Sequence, residues 1–327
     1  MVWIKFIASA IVIMVAANFL AKYGDALAIR TKLGGMFIGI LLMAGATSLP
    51  EVLTSISAVN QQAPDIAAGN LLGSNAFNML LLAILDLTHR SQRLLRKAAR
   101  RHALSGSLAI LMIVLVLYFM LADNDIKFGW IGLDSLIIIA VYVLAVRLIS
   151  RDDTTTSPVT EEDVPPGTPK LWVALAGFLA AAGVLIAITP MMVSSATEIA
   201  EVTGLGTTFV GTTLVALVTS LPELVTTLAA IRIGASDMAI GNLFGSNMFN
   251  MFAIGLTDIF YTDGRFLATI DPAFLIVGML GLLMTAVGLV GNLARLERRI
   301  WIIEVDSLAL FIIYITGMLL LYQRGMG

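Results

Sequence analysis

The chain has 327 residues, 58% of them apolar and 13% charged, with a mean hydropathy of +0.94 and a formal net charge of −2. A water-soluble domain carries about 25% charged residues, so most of this apolar surface must face lipid or other buried helices. The lack of cysteine excludes disulfides and thiolate metal sites, and His89 and His102, both in a basic connector, are too few for zinc catalysis or Ser-His-Asp chemistry.

A hydrocarbon core about 30 Å thick is crossed by about 20 apolar residues in a helix. On that measure the sequence predicts an all-α membrane protein of about ten spans, near 3–29, 36–59, 65–87, 104–122, 129–149, 171–200, 207–231, 237–260, 270–293 and 303–323. Period-two patterns of useful length are absent, which argues against a barrel. Gly34 and Gly35 break the chain before the second span, and Asp65 and Asp237 are placed as N-caps. The first span has Lys5 ahead of an apolar run, as a signal peptide would. Its counterpart in the repeat described below lies in mid-chain, however, so it reads as a span.

Residues 150–170, rich in Pro and Thr, form a linker too short for a folded domain. Its five acidic residues could bind calcium, but they read better as a solvated hinge. With the N-terminus outside, 16 of the 20 Lys and Arg residues fall on the cytoplasmic side, which fixes the expected orientation with both termini outside. The basic run from Arg90 to Arg101 is then a topology signal against anionic lipid, not a nucleic-acid surface.

Residues 44–80 and 216–252 align at an offset of 172 without a gap, and 20 of the 37 positions are identical. The halves are residues 1–149 and 171–327, joined by the 150–170 linker. Five spans each, an odd number, make the second half enter the membrane from the opposite side. Inverted repeats of this kind are a plan of secondary transporters, with the site at the midplane where the halves meet.

Glu51 and Glu223 fall in mid-span, where a charge costs several kcal/mol and marks a site by default. Thr47 and Ser48 precede Glu51 by four and three residues and Thr54 follows by three; Thr219, Ser220 and Thr226 repeat this around Glu223. That spacing puts hydroxyls and carboxylate on one helix face. Pro50 and Pro222 release the carbonyls of Ala46 and Val218 from helical bonding. On the partner helices, Asn70, Ser74 and Asn78 share a face, as do Asn242, Ser246 and Asn250. Gly69, Gly73, Gly241 and Gly245 let those helices approach the glutamate-bearing ones. The set is all oxygen, suited to hard cations such as calcium and sodium.

The paired segments TSLPE and GNxxGSNxFN resemble the alpha repeats of the sodium/calcium exchanger family, within the cation/calcium antiporter superfamily. The resemblance implies an antiporter that exchanges calcium for sodium by alternating access. It makes Glu51 and Glu223 the central metal ligands, joined by Thr47, Ser48, Thr219, Ser220, Ser74, Ser246, Asn78 and Asn250 and by the carbonyls of Ala44 and Ala216. It also implies that the first and sixth helices slide past the rest. No resident cofactor is expected; the partners are calcium, sodium or protons, and the lipid bilayer, with one chain as the functional unit in a prokaryotic cytoplasmic membrane.

Three departures stand out. Asn250 occupies a position where family members often carry aspartate, the second motif reads ALVTSLPE without the small Gly-Thr entry common in the family, and the linker is too short for the calcium-sensing domains of animal exchangers. Proton coupling, or exchange of magnesium or manganese, fits the same residues. An intramembrane hydrolase would need an activated water and an acid/base motif that the sequence lacks; a channel would differ by uncoupled flux.

Overall fold

A computed structural model describes residues 1–31, 44–88, 102–122, 125–152, 167–232, 236–294, 299–300 and 303–323. Gly34 and Gly35, the basic run from Arg90 to Arg101 and most of the 150–170 linker lie outside the described residues.

The chain is almost wholly helical. In the first half, α1 (Val2–Thr31), α2 (Leu49–Asn60, preceded by a helical turn at 44–47), α3 (Pro64–Thr88) and α4 (Ala103–Ala122) lead to a hairpin of β1 (Lys127–Phe128) and β2 (Ile131–Gly132), then α5 (Leu133–Asp152). The second half has α6 (Leu171–Thr203), α7 (Gly206–Val210), a π-helical turn (Gly211–Val215), α8 (Ala216–Thr219) and α9 (Leu221–Arg232). It continues through α10 (Ser236–Phe260), α11 (Phe266–Thr269), α12 (Phe274–Ala294), β3 (Arg299–Ile300), β4 (Ile303–Glu304) and α13 (Val305–Gln323).

Seven helices among the described residues are long and apolar enough to cross a membrane, and the bent pair 206–219 and 221–232 makes eight. The helix α10 is also 25 residues long, but its polar face keeps it out of that set. The expected total of about ten is therefore not reached by length and hydropathy alone.

The offset of 172 governs the structure well beyond the matching residues. Adding 172 to the bounds of α2, α3, β1 and β2 gives those of α9, α10, β3 and β4. Repeat mates run antiparallel: at the end of α1, the Arg30 side chain donates to the carbonyls of Thr168 (2.7 Å) and Pro169 (2.9 Å), just ahead of α6. The two halves are thus inverted copies.

Hydropathy sorts the helices into layers. Of the apolar window in α3, 94% is buried within the bundle, against 17% for α6. The helices carrying the amide motifs form the centre, and α1 and α6 lie along one another at the periphery. Close backbone packing positions this centre. A methyl group on Gly73 would sit 2.5 Å from the Thr212 carbonyl oxygen, and one on Gly69 would sit 2.8 Å from the Thr212 amide nitrogen. Here α3 lies directly on the π-helical turn of the bent span that carries Glu223. Gly73→Ala should therefore push α3 off its partner and cost about 1–3 kcal/mol, read as a lowered melting temperature in detergent; an unchanged melting point would refute this packing argument.

One end of the bundle is closed by a polar clamp. Asp258, near the end of α10, accepts from the backbone amides of Gly132 (2.8 Å) and Phe266 (2.6 Å). Arg265 reaches the buried Asp134 through Nη2 (3.0 Å) and Nε (3.2 Å), and exposed Asp125 through Nη1 (3.6 Å).

Three boundaries depart from the sequence reading. Residues 127–132 form the hairpin, turning at Gly129 (φ 68°), so the fifth span starts at Leu133 and not at 129. A turn through Pro272 delays α12 to Phe274. Asp65 lies inside the first turn of α3 and is not its N-cap; the backbone of Asp237 is likewise inside α10.

Candidate functional site

Both TSLPE segments break their helices. The helical turn 44–47 ends at Ser48 before α2 begins at Leu49, and the matching span of the second half, 206–232, bends by 40° at Ser220 between α8 and α9. The proline in each second helical position lacks the amide hydrogen that a continuous helix would need. The bends bring the serines and glutamates of the two halves face to face.

Ser48 Oγ donates to Glu223 Oε1 at 2.8 Å, and Ser220 Oγ donates to Glu51 Oε1 at 3.1 Å. Each carboxylate is therefore held by a hydroxyl from the other half. Ser246 Oγ adds a longer contact to Glu223 Oε1 at 3.4 Å. The threonines follow the same reciprocity, with Thr219 Oγ1 bonded to Asn70 Oδ1 (2.8 Å) and Thr47 Oγ1 to Asn242 Oδ1 (3.5 Å). Asn70 spends its amide hydrogens on the Glu51 carbonyl and Ser55 Oγ, both at 3.0 Å. Asn242 reaches Thr226 Oγ1 (3.3 Å) and Thr227 Oγ1 (3.4 Å).

Every one of these side chains except Thr226 is buried, yet several of their oxygens have no hydrogen-bond donor. Glu51 Oε2, Glu223 Oε2, Ser74 Oγ, Asn78 Oδ1 and Asn250 Oδ1 are all unpartnered, as is Thr54 Oγ1. Burying a polar atom without a partner is costly, and donor-free oxygens on the two glutamates and on the amide-bearing helices packed against them are groups that a dehydrated cation would relieve. Among the described residues no three Asp, Glu, His or Cys side chains cluster as a metal site, so neutral oxygens must complete any coordination shell.

The structure thus brings together Glu51, Glu223, Ser48, Ser220 and Ser246 directly. Thr219 and Thr47 also approach Glu51 and Glu223 from the opposite half, with their hydroxyls bonded to the amides of Asn70 and Asn242, while Asn78 and Asn250 sit one helical turn beyond Ser74 and Ser246. The Ala44 carbonyl already accepts from Ser48 N (3.0 Å) and Thr47 Oγ1 (3.1 Å), and that of Ala216 from Ser220 N (3.1 Å) and Thr219 Oγ1 (3.3 Å). A cation on either carbonyl would compete with the threonine hydroxyl.

Several buried residues of this region escaped the sequence reading, Ser55 and Thr227 beside Asn70 and Asn242 among them. Asn75 accepts from Asn250, and Asn247 accepts from Asn78, where α3 and α10 cross. The repeated GSNxFN motif contained the signal, since its two asparagines are three apart and so face neighbouring directions.

An inverted-repeat helical membrane protein with two reciprocally held carboxylates at its centre is the class that fold and site define. Residues 1–150 and 173–323 match the family model described as sodium/calcium exchanger protein. The chain belongs to that family of cation/calcium exchangers, which are transporters and not enzymes. It is similar to the sodium/calcium exchanger MaX1 of Methanosarcina acetivorans, with 27% identity over 291 residues, 75% of this chain and 79% of that protein. In fold it is similar to the crystal structure of the H+/Ca2+ exchanger CAX, with a TM-score of 0.68 and 14% identity over 99% of this chain and 89% of that one. The sodium-calcium exchanger NCX_Mj is similar too, with a TM-score of 0.61 and 20% identity over 98% of this chain and 99% of that one.

Proposed function

We propose that the chain exchanges calcium for sodium, with Glu51 and Glu223 as the charged ligands of a shared midplane site. Carrying this reading is the set of buried, donor-free oxygens on Glu51, Glu223, Ser74, Asn78 and Asn250, ordered by serines that cross between the halves. The remaining ligands are Ser48, Ser220 and Ser246, with Thr47 and Thr219 and the Ala44 and Ala216 carbonyls to which their hydroxyls are bonded. Residues 1–149 and 171–327 are the five-helix halves, 150–170 a cytoplasmic linker, and both termini face outward from a prokaryotic cytoplasmic membrane. A single chain contains both carboxylates and suffices as the unit. The peripheral, antiparallel pair α1 and α6 is the element that moves.

Two carboxylates carry a charge of −2, balanced by one calcium, two sodium ions or two protons. A third sodium would leave +1 in a buried site, at a cost of several kcal/mol, because position 250 is asparagine. Exchange should therefore be electroneutral. Proton coupling is the second reading, favoured by the two bare carboxylate oxygens, which protons would satisfy as well as a metal.

Radioactive calcium uptake into proteoliposomes separates the two. Uptake driven by an outward sodium gradient, unchanged when the membrane potential is clamped, is the expected result. Uptake indifferent to sodium but abolished by collapsing a pH gradient would replace sodium by protons. A net current during sodium-driven uptake would refute the two-carboxylate balance.

A further inference from the structure

Where α3 and α10 cross, four buried asparagines form two pairs related by the offset of 172. Asn78 Nδ2 donates to Asn247 Oδ1 at 3.0 Å, and Asn250 Nδ2 donates to Asn75 Oδ1 at 3.1 Å. The pairs match in sequence but not in surroundings. An amide's orientation is set by what its NH2 group must reach. Asn247 Nδ2 donates to the Asn75 carbonyl (3.3 Å) and to Thr285 Oγ1 (3.2 Å) on α12, and the Thr285 hydroxyl in turn donates to the Gly281 carbonyl (2.7 Å). With its hydrogens spent there, Asn247 offers only an oxygen to Asn78. Asn78 must answer with Nδ2, which leaves its donor-free Oδ1 for the site.

The position matching Thr285 in the first half is Ile113, a buried residue with no acceptor. Correspondingly, Asn75 Nδ2 is buried without a partner among the described residues. Among the described residues nothing anchors this second pair. Turning both amides over keeps one hydrogen bond, from Asn75 Nδ2 to Asn250 Oδ1, and presents the NH2 of Asn250 in place of its oxygen.

We infer that Thr285, acting through Asn247, is a positioning residue that locks Asn78 oxygen-first toward the cation, while Asn75 and Asn250 form an invertible pair. This rests on the cation site proposed above. Asn78 is then a permanent ligand and Asn250 one that can be withdrawn. A carboxylate at 250 would be met by the spare NH2 of Asn75; a carboxylate at 78 would face the fixed oxygen of Asn247.

The test is a double-mutant cycle on calcium uptake in proteoliposomes, separating KM from maximal rate. Thr285→Val should raise the calcium KM by about fivefold, the scale of one hydrogen bond, without lowering the maximal rate. Thr285→Ser should restore it, and Thr285→Val should add nothing on an Asn78→Ala background. Additive effects, or failure of serine to restore KM, would overturn the relay. If Asn78→Ala itself leaves KM unchanged, the cation site fails at that ligand and the relay falls with it. Melting in detergent provides a second reading that does not depend on Thr285: Asn250→Asp should melt near the parent, and Asn78→Asp well below it. The reverse order would overturn the asymmetry.

Discussion

Glu223→Gln should reduce calcium uptake by at least about two orders of magnitude while the protein stays folded. The substitution keeps the shape and keeps an oxygen for the Ser48 hydroxyl, which lies 2.8 Å from Glu223 Oε1. What it removes is half of the site's negative charge. A calcium ion would then leave +1 uncompensated in a buried environment, at a cost of several kcal/mol, and each 1.4 kcal/mol is about tenfold in affinity. Glu51→Gln should do the same, since Ser220 holds Glu51 as Ser48 holds Glu223. Retention of more than about a tenth of the parental uptake by either variant, at equal reconstitution, would remove that glutamate from the role of a charged ligand.

Arg265→Met should destabilise the protein by about 3–5 kcal/mol, because it leaves a buried aspartate without its cation. Asp134 is fully buried, and two Arg265 nitrogens lie 3.0 and 3.2 Å from its Oδ2. The clamp ties the start of α5 to the segment after α10, so unfolding in detergent should begin at that end. The double variant Arg265→Met with Asp134→Leu should recover much of the loss, since removing both partners of a buried pair is far milder than removing one. Equal melting of the parent and the single variant would show that Asp134 does not need the guanidinium.

Much of this molecule is legible without coordinates because it is written twice. TSLPE and GNxxGSNxFN repeat residue for residue, so two independent stretches point to the same helices and the same glutamates. The pairing across the halves was not legible. Thr47, Ser48 and Glu51 share a face by spacing, which suggests that each carboxylate is served by its own helix. In the structure the Ser48 hydroxyl goes to Glu223 instead, because the breaks before Pro50 and Pro222 aim the two segments at each other. That is a property of the crossing, which no helical period encodes. Asn75 and Asn247 were overlooked for a similar reason. They lie off the i, i+4, i+8 row of Asn70, Ser74 and Asn78, and point at the neighbouring helix. The hairpin at 127–132 has only two residues in each strand, too few for alternation to register. The antiparallel pairing nevertheless recurs between 299–300 and 303–304, where only Ile131 and Ile303 still match.

The reciprocity of the Ser48–Glu223 and Ser220–Glu51 contacts has a consequence for direction. Rotating the site by half a turn about an axis in the membrane plane exchanges the two contacts and leaves the arrangement nearly unchanged. At the proposed site a cation from either side would therefore meet equivalent serine-held carboxylates, and these two contacts do not rectify the binding step. Any preference for one direction of flow must then arise from the ion gradients, or from the few places where the halves differ, such as Thr285 opposite Ile113.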